Sequence, residues 1–286
     1  MDDRAPPAPA PAARELDVRA ADGHRYQVLA HVPASPSASL LWLPALGIAA
    51  KHYLPFAQAL AERGVAVFLH EWRGGGSSSL RASRDSDWGY RELLMLDIAA
   101  SEALVEQHAP DVPRILGGHS LGGQLACCRL GLSPGTAQRL WLVGSGAPYW
   151  RAFPLRNRCW LPFAYRFLAW LADHRGALPG RRIGFGGQEA RGVIRDWSRS
   201  GLSGRYVAAG LDLDLEAAMA ALTVEVDAVA LADDWLGPES SLRFLLSKLR
   251  RSTARIDPLD AATLGTRADH YAWMKQPQAV VAALLD

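Results

Sequence analysis

Residues 117–123 read Gly-Gly-His-Ser-Leu-Gly-Gly, which places Ser120 between Gly118 and Gly122 in a Gly-x-Ser-x-Gly pattern. The apolar pair Ile115-Leu116 precedes it, and the helix-compatible stretch Gln124 to Leu130 follows. A serine at so sharp a strand-to-helix turn is forced into an unfavourable backbone conformation that lifts its Oγ clear of the sheet. A Cβ two residues before or after it would collide with neighbouring backbone, so both positions call for glycine. The helix that begins there also offers free N–H groups to a developing oxyanion, and Leu121 N–H is the first of them. The chemistry this implies is nucleophilic attack by Ser120 on an acyl carbon.

Such a serine needs a base within hydrogen-bond reach, and the base needs an orienting acid. The strand-like run Val226 to Ala232 leads into Asp233-Asp234-Trp235-Leu236-Gly237-Pro238, so either aspartate could serve as the acid. Of the eight histidines, His24, His31, His52, His70, His108, His119 and His174 precede that run, and only His270 follows it. His270 lies in the loop Arg267-Ala268-Asp269-His270-Tyr271-Ala272-Trp273, ahead of the closing helix, and is the expected base. The other seven read as structural or solvated, with His174 kept as a possible substrate contact. A second oxyanion donor is expected from the turn after the third strand, Pro44-Ala45-Leu46-Gly47, where Leu46 N–H is the candidate.

The elements that must position these groups alternate along the chain. Residues 15–34 read as two paired strands around the turn Asp22-Gly23. Leu40 to Leu43 is a short strand, Tyr53 to Arg63 a helix ended by Gly64, and Val65 to His70 a buried strand. A glycine-rich loop follows, Glu71-Trp72-Arg73-Gly74-Gly75-Gly76-Ser77, then a long helix over Trp88 to Gln107. Arg114 to Gly118 and Gln138 to Gly144 are strands on either side of the Ser120 helix. Strands separated by helices of this length predict a parallel sheet covered on both faces. The alternation stops over residues 147–220, an aromatic-rich block best read as a cap inserted over the strand ends. It resumes with a strand at Val224 to Ala232, a helix at Ser240 to Leu249, a strand at Ala254 to Ile256 and a helix over Val280 to Leu285.

Composition narrows the function classes. The 286 residues carry 31 Lys and Arg against 29 Asp and Glu, and no basic stripe is present, so nucleic acid is not an expected partner. Cys127, Cys128 and Cys159 are odd in number and lack framework spacing, which argues against a disulfide scaffold; Cys127 and Cys128 read as small, buried and reduced. No metal-ligand cluster is visible, and neither metal nor cofactor is expected. Residues 1–14 are rich in Ala and Pro, lack the basic and apolar regions of a signal peptide, and read as a disordered tail. The longest apolar run, Trp160 to Ala172, is interrupted by Arg166 and too short to span a bilayer, so no transmembrane segment is expected. The default is a soluble cytoplasmic protein. Oligomeric state is not legible.

Taken together, residues 15–286 resemble the α/β-hydrolase superfamily, with a mostly parallel central sheet, helices on both faces and a helical cap insertion. The similarity is to the serine aminopeptidase-like and monoacylglycerol-lipase-like branch, and closest to a bacterial group of uncharacterised predicted hydrolases. The shared motifs are the Pro-Ala-x-Gly loop at Pro44 to Gly47, the Arg-Gly loop at Arg73-Gly74, the Gly-His-Ser-Leu-Gly-Gly elbow, the double aspartate and the late histidine. Two positions depart: Glu71 stands where the group has Asp, and Asp269-His270-Tyr271 replaces a Gly-His-Phe type. The resemblance favours Asp234 as the acid, because it lies four residues before Pro238, and leaves Asp233 as the alternative. It implies a serine hydrolase acting on a carboxylic ester or thioester. Trp150, Trp160, Phe163, Tyr165, Phe167, Trp170 and Trp197 suggest an apolar acyl or aromatic ester substrate, or else form the cap's own core. The alternatives are an acyltransferase using the same residues and a non-catalytic ligand-binding protein on the same fold. Epoxide hydrolase and haloalkane dehalogenase chemistry would need an aspartate where Ser120 stands.

Overall fold

The computed structural model describes residues 13–286. Among the described residues ten strands run in chain order: β1 (Arg14–Arg19), β2 (Arg25–His31), β3 (Ala38–Leu43), β4 (Val65–Leu69), β5 (Arg114–His119), β6 (Arg139–Val143), β7 (Leu178–Pro179), β8 (Gln188–Glu189), β9 (Glu225–Leu231) and β10 (Thr253–Leu259). Eight of them form one sheet in the order β1-β2-β4-β3-β5-β6-β9-β10, while β7 and β8 make a separate two-stranded ribbon. The β1–β2 and β2–β4 pairs are antiparallel, and every later pair of the main sheet is parallel. The expected tail lies outside the described residues except for Ala13 and Arg14, and Arg14 already belongs to β1.

Parallel strands covered on both faces read as continuous apolar runs. Val65-Ala-Val-Phe-Leu69 in β4 is buried at every residue. Its alternate side chains feed two cores, Val65, Val67 and Leu69 on one face and Ala66 and Phe68 on the other. In β3, Leu40 and Trp42 join the first of these cores, and Leu41 and Leu43 the second. This is the two-residue period of a pleated strand used on both sides. The helices Leu121–Leu132 and Ile98–His108 cover one face, and Leu54–Ala61 and Gln278–Leu285 the other.

Three features differ from expectation. The long helix begins at Tyr90 rather than Trp88 and carries a π-helical turn, Leu93–Asp97, before continuing as Ile98–His108. That wide turn ends on the buried Asp97, which bonds Arg73 Nε at 2.9 Å, Arg73 Nη2 at 2.7 Å and His24 Nδ1 at 2.9 Å. Burial alone would raise the Asp97 carboxyl, but hydrogen bonds from His24 and Arg73 outweigh it and hold the pKa below the usual value. Arg73 also reaches Asp22 at 2.7 Å, so the glycine-rich loop is pinned to the β1–β2 turn and to the helix together. The third difference is β10, which extends through Pro258. It lies at the sheet edge, where a missing N–H costs no ladder bond.

Residues 147–220 add no strand to the main sheet. Their principal helices are Leu161–Arg175 and Arg191–Ser203. Phe153, Leu161 and Tyr165 form a small core with Trp150 and Trp197 packed against it. Four other aromatics of that block, Trp160, Phe163, Phe167 and Trp170, are exposed. Cys127 and Cys128 are fully buried, and burial pushes the Cys127 thiol up to about 12. Among the described residues no helix is long and apolar enough to cross a membrane.

Candidate active site

Ser120 ends the β5 turn and caps the helix Leu121–Leu132 with φ 54° and ψ −119°. Among the described residues it is the single non-glycine residue with positive φ. Two close approaches explain why its neighbours are glycines. A Cβ at Gly122 would stand 2.0 Å from the Leu43 carbonyl oxygen, and one at Gly118 would stand 2.4 Å from the Gly122 carbonyl carbon. The backbone therefore passes too tightly for any side chain on either side of Ser120, as the sequence pattern anticipates.

Asp234 and His270 meet. His270 Nδ1 lies 2.6 Å from Asp234 Oδ2, and both side chains are almost wholly buried. The other carboxylate oxygen, Oδ1, accepts from Leu236 N–H at 2.9 Å and Gly237 N–H at 2.8 Å. With Oδ2 accepting, Nδ1 carries the proton and Nε2 is left as the basic nitrogen. Asp233 is exposed, and its backbone N–H donates to Ala268 O at 3.0 Å, tying the aspartate loop to the His270 loop. Asp269 shapes that second loop: its Oδ1 accepts from Tyr271 N–H at 3.0 Å and Ala272 N–H at 2.8 Å. Trp273 anchors it, donating from Nε1 to His270 O at 3.2 Å and packing on Trp42, Tyr53 and Phe56. The Asp269-His270-Tyr271 departure thus comes with its own loop support.

His119 is the residue that sequence reasoning passed over. It is fully buried, and its ring lies 4.5 Å from the His270 ring, centroid to centroid. A Cβ at Gly144, just past β6, would stand 3.1 Å from Asp234 Oδ2 and 3.3 Å from His119 Nε2. The aspartate loop, the histidine loop and the elbow therefore converge at the ends of β5, β6 and β9. Desolvation, aided by the nearby His270, holds the His119 pKa well below the usual imidazole value, so the ring is neutral. Tyr53 Oη sits 2.8 Å from His119 Nδ1 and accepts from Ala45 N–H at 2.9 Å. One hydroxyl therefore links the Pro44–Gly47 turn to the residue before Ser120. The signal in the sequence was adjacency to Ser120; its partner Tyr53 is far away along the chain.

The Pro44–Gly47 turn is held twice more. Trp72 Nε1 donates to Pro44 O at 2.8 Å, and Ile48 N–H donates to Ala45 O at 3.1 Å. With Ala45 N–H taken by Tyr53, the next donor along the turn is Leu46 N–H, which among the described residues has no partner. Glu71 stands behind the turn, buried, with Oε2 accepting from Ala50 N–H at 3.3 Å. Burial pushes its carboxyl up to about 7. His174, the other histidine of interest, is exposed and stacks on Trp170 at 5.5 Å.

A family model described as "Serine aminopeptidase, S33" matches residues 34–196, more than half of the chain. This chain belongs to that family of α/β hydrolases. The family member has the fold of many solved structures. The DcsB structure, solved in complex with its substrate analogue, has a TM-score of 0.66 at 14% identity, covering 96% of this chain and 97% of that one. A hydrolase from Pseudomonas aeruginosa gives 0.60 at 19% identity, covering 96% and 98%. A lipase in its open form gives 0.61 at 18% identity, covering 95% and 96%. At such identities the likeness establishes the α/β-hydrolase fold. No curated protein matches the chain.

Proposed function

We propose that this α/β hydrolase is a serine hydrolase cleaving a carboxylic ester or thioester through an acyl-enzyme on Ser120. The observation that carries the reading is the 2.6 Å bond between His270 Nδ1 and the buried Asp234, on loops that converge on the strained Ser120 turn. In this reading His270 Nε2 takes the Ser120 Oγ proton as Oγ attacks the acyl carbon. Asp234 fixes the imidazole tautomer and stabilises the imidazolium that forms. The N–H groups of Leu46 and Leu121 receive the oxyanion. His270 then returns its proton to the leaving oxygen or sulfur. Water, deprotonated by the same nitrogen, releases the acid and restores Ser120.

Residues 147–220 are proposed to cap this site, and Leu46 and Phe185 pack against one of that segment's small cores. An apolar acyl or aromatic ester suits the apolar side chains near the nucleophile, Leu46, Leu121 and Tyr271. The likeness to a lipase structure agrees with an ester substrate. The test is labelling with a fluorophosphonate, read by intact mass and peptide mapping, on the wild type, Ser120→Ala and His270→Ala. The expected result is one adduct per chain on Ser120, lost in both variants. An unlabelled, well-folded wild type refutes the reading and leaves a ligand-binding protein on this fold.

A further inference from the structure

The helix Leu161–Arg175 presents two opposite faces. Leu161, Tyr165 and Ala172 are buried against the rest of the 147–220 segment. Trp160, Phe163, Phe167 and Trp170 are exposed at 42%, 72%, 52% and 57%. At about 100° per residue, these four rings fall within roughly 80° of one another, on the side away from the buried face. Large aromatics in one contiguous exposed stripe are unusual on a soluble monomer and mark an interaction surface. The stripe continues toward the candidate site: Trp160 lies 6.3 Å from Trp235, which is 52% exposed and directly follows Asp234.

Charge identifies the kind of partner. Residues 150–183 contain seven arginines, at 151, 156, 158, 166, 175, 181 and 182, and a single acid, Asp173. Asp173 is itself paired with Arg195 at 2.7 Å, from outside that stretch. Arg151, Arg156, Arg166, Arg175, Arg181 and Arg182 are all exposed. Arg166 falls about 40° beyond the stripe on the same helix, and the segment that carries the stripe is net cationic, so a second copy docked symmetrically here would bring like charge against like charge. An anionic lipid surface offers the opposite: headgroups for the guanidinium groups, and an acyl boundary into which aromatic rings partition.

We infer that the Trp160–Trp170 face of this helix docks the protein on an anionic phospholipid bilayer. Docking sets the aromatic stripe at the headgroup boundary and turns the Trp235 side of the molecule toward the lipid. It is independent of the chemistry assigned to Ser120, and it uses none of the residues placed in that site.

The experiment is flotation of the full chain with phosphatidylcholine vesicles, with and without phosphatidylglycerol, at low and high salt. Binding is expected to the phosphatidylglycerol vesicles and to weaken as salt rises. The triple variant Phe163→Ser, Phe167→Ser, Trp170→Ser should lose about tenfold or more in vesicle affinity, with its circular dichroism and thermal midpoint unchanged. A second variant, Arg181→Glu with Arg182→Glu, should lose the preference for phosphatidylglycerol, and it decides the matter if the triple variant folds poorly. Absence of vesicle binding, or equal binding by wild type and variants, overturns the inference. So does a wild-type dimer that the triple variant converts to monomer, because a second chain would then cover the face.

Discussion

Replacing Ser120 by glycine should make the protein more stable than replacing it by alanine. Ser120 holds φ 54° and ψ −119°, a region that L side chains populate rarely. Holding a non-glycine residue there costs about 1–3 kcal/mol. Alanine keeps the Cβ and therefore keeps the strain. Glycine releases it, at the expense of about 0.4–1 kcal/mol from the greater freedom of its unfolded chain. The net advantage of Ser120→Gly over Ser120→Ala is about 0.5–2 kcal/mol. In a chain of this length that is a rise of roughly 1–5 °C in thermal midpoint. Both variants lack the proposed nucleophile, so activity does not confuse the comparison. Calorimetry and urea unfolding of the two, side by side, give the answer. At an ordinary position the order is reversed, with glycine the less stable. Equal midpoints, or a lower one for Ser120→Gly, would refute the claim that the elbow is strained.

Asp234→Asn should lower kcat by about three to four orders of magnitude, because the amide no longer holds the His270 tautomer, whereas Asp233→Asn should change it by only a few-fold. Ester-hydrolysis rates for the pair distinguish them, and a larger loss at Asp233 would reverse the assignment. Tyr53→Phe removes the hydroxyl between Ala45 N–H and His119; kcat should fall about tenfold, less than for loss of a direct oxyanion donor, with KM unchanged. A change confined to KM would show that Tyr53 acts on substrate binding instead. Glu71 is neutral in the folded state up to about pH 7 and ionises from about pH 4.5 when unfolded. Stability should therefore fall as pH rises between those values, by up to about 3 kcal/mol in all. Glu71→Gln should remove that dependence in urea titrations across the same range, and parallel wild-type and variant profiles would count against it.

The legible parts of this protein are those fixed by close neighbours in the chain. Gly118 and Gly122 announce the turn because their steric need is local. The apolar runs of β3 and β4 announce buried strands for the same reason. The choice between Asp233 and Asp234 was not available from residue type. It depends on which carboxylate meets the Leu236 and Gly237 N–H groups and His270, and that is decided by how β9 exits the sheet. Tyr53 and His119 were not legible as a pair, because only the folded sheet brings them together. The aromatic residues from Trp160 to Trp170 showed helical spacing, but Leu161, Tyr165 and Ala172 show it too. Which set meets the core is settled by packing, of Leu161 and Tyr165 against Phe153 and Trp197 and of Ala172 with Leu178 and Ile194, residues that no periodicity identifies. The π-helical turn at Leu93–Asp97 likewise answers a distant demand, the placing of Asp97 against Arg73 and His24.

The strand order carries a cost during synthesis. β6 lies between β5 and β9, and Leu140, Trp141, Leu142 and Val143 are buried there. The ribosome completes β6 long before β9, with the 147–220 segment made in between. At about 5–20 residues per second, the roughly 80 intervening residues leave the outer edge of β6 without its neighbour for about 4–16 s. Through that interval the nascent chain offers an unpaired strand reading Arg-Leu-Trp-Leu-Val, with a charge only at its first residue, which is a template for pairing with another chain. Ser120 has by then emerged, while Asp234 and His270 have not. A product cut off before residue 225 would therefore lack two of the three residues proposed to act together and be prone to aggregate, and the growing chain needs its edge shielded until β9 arrives.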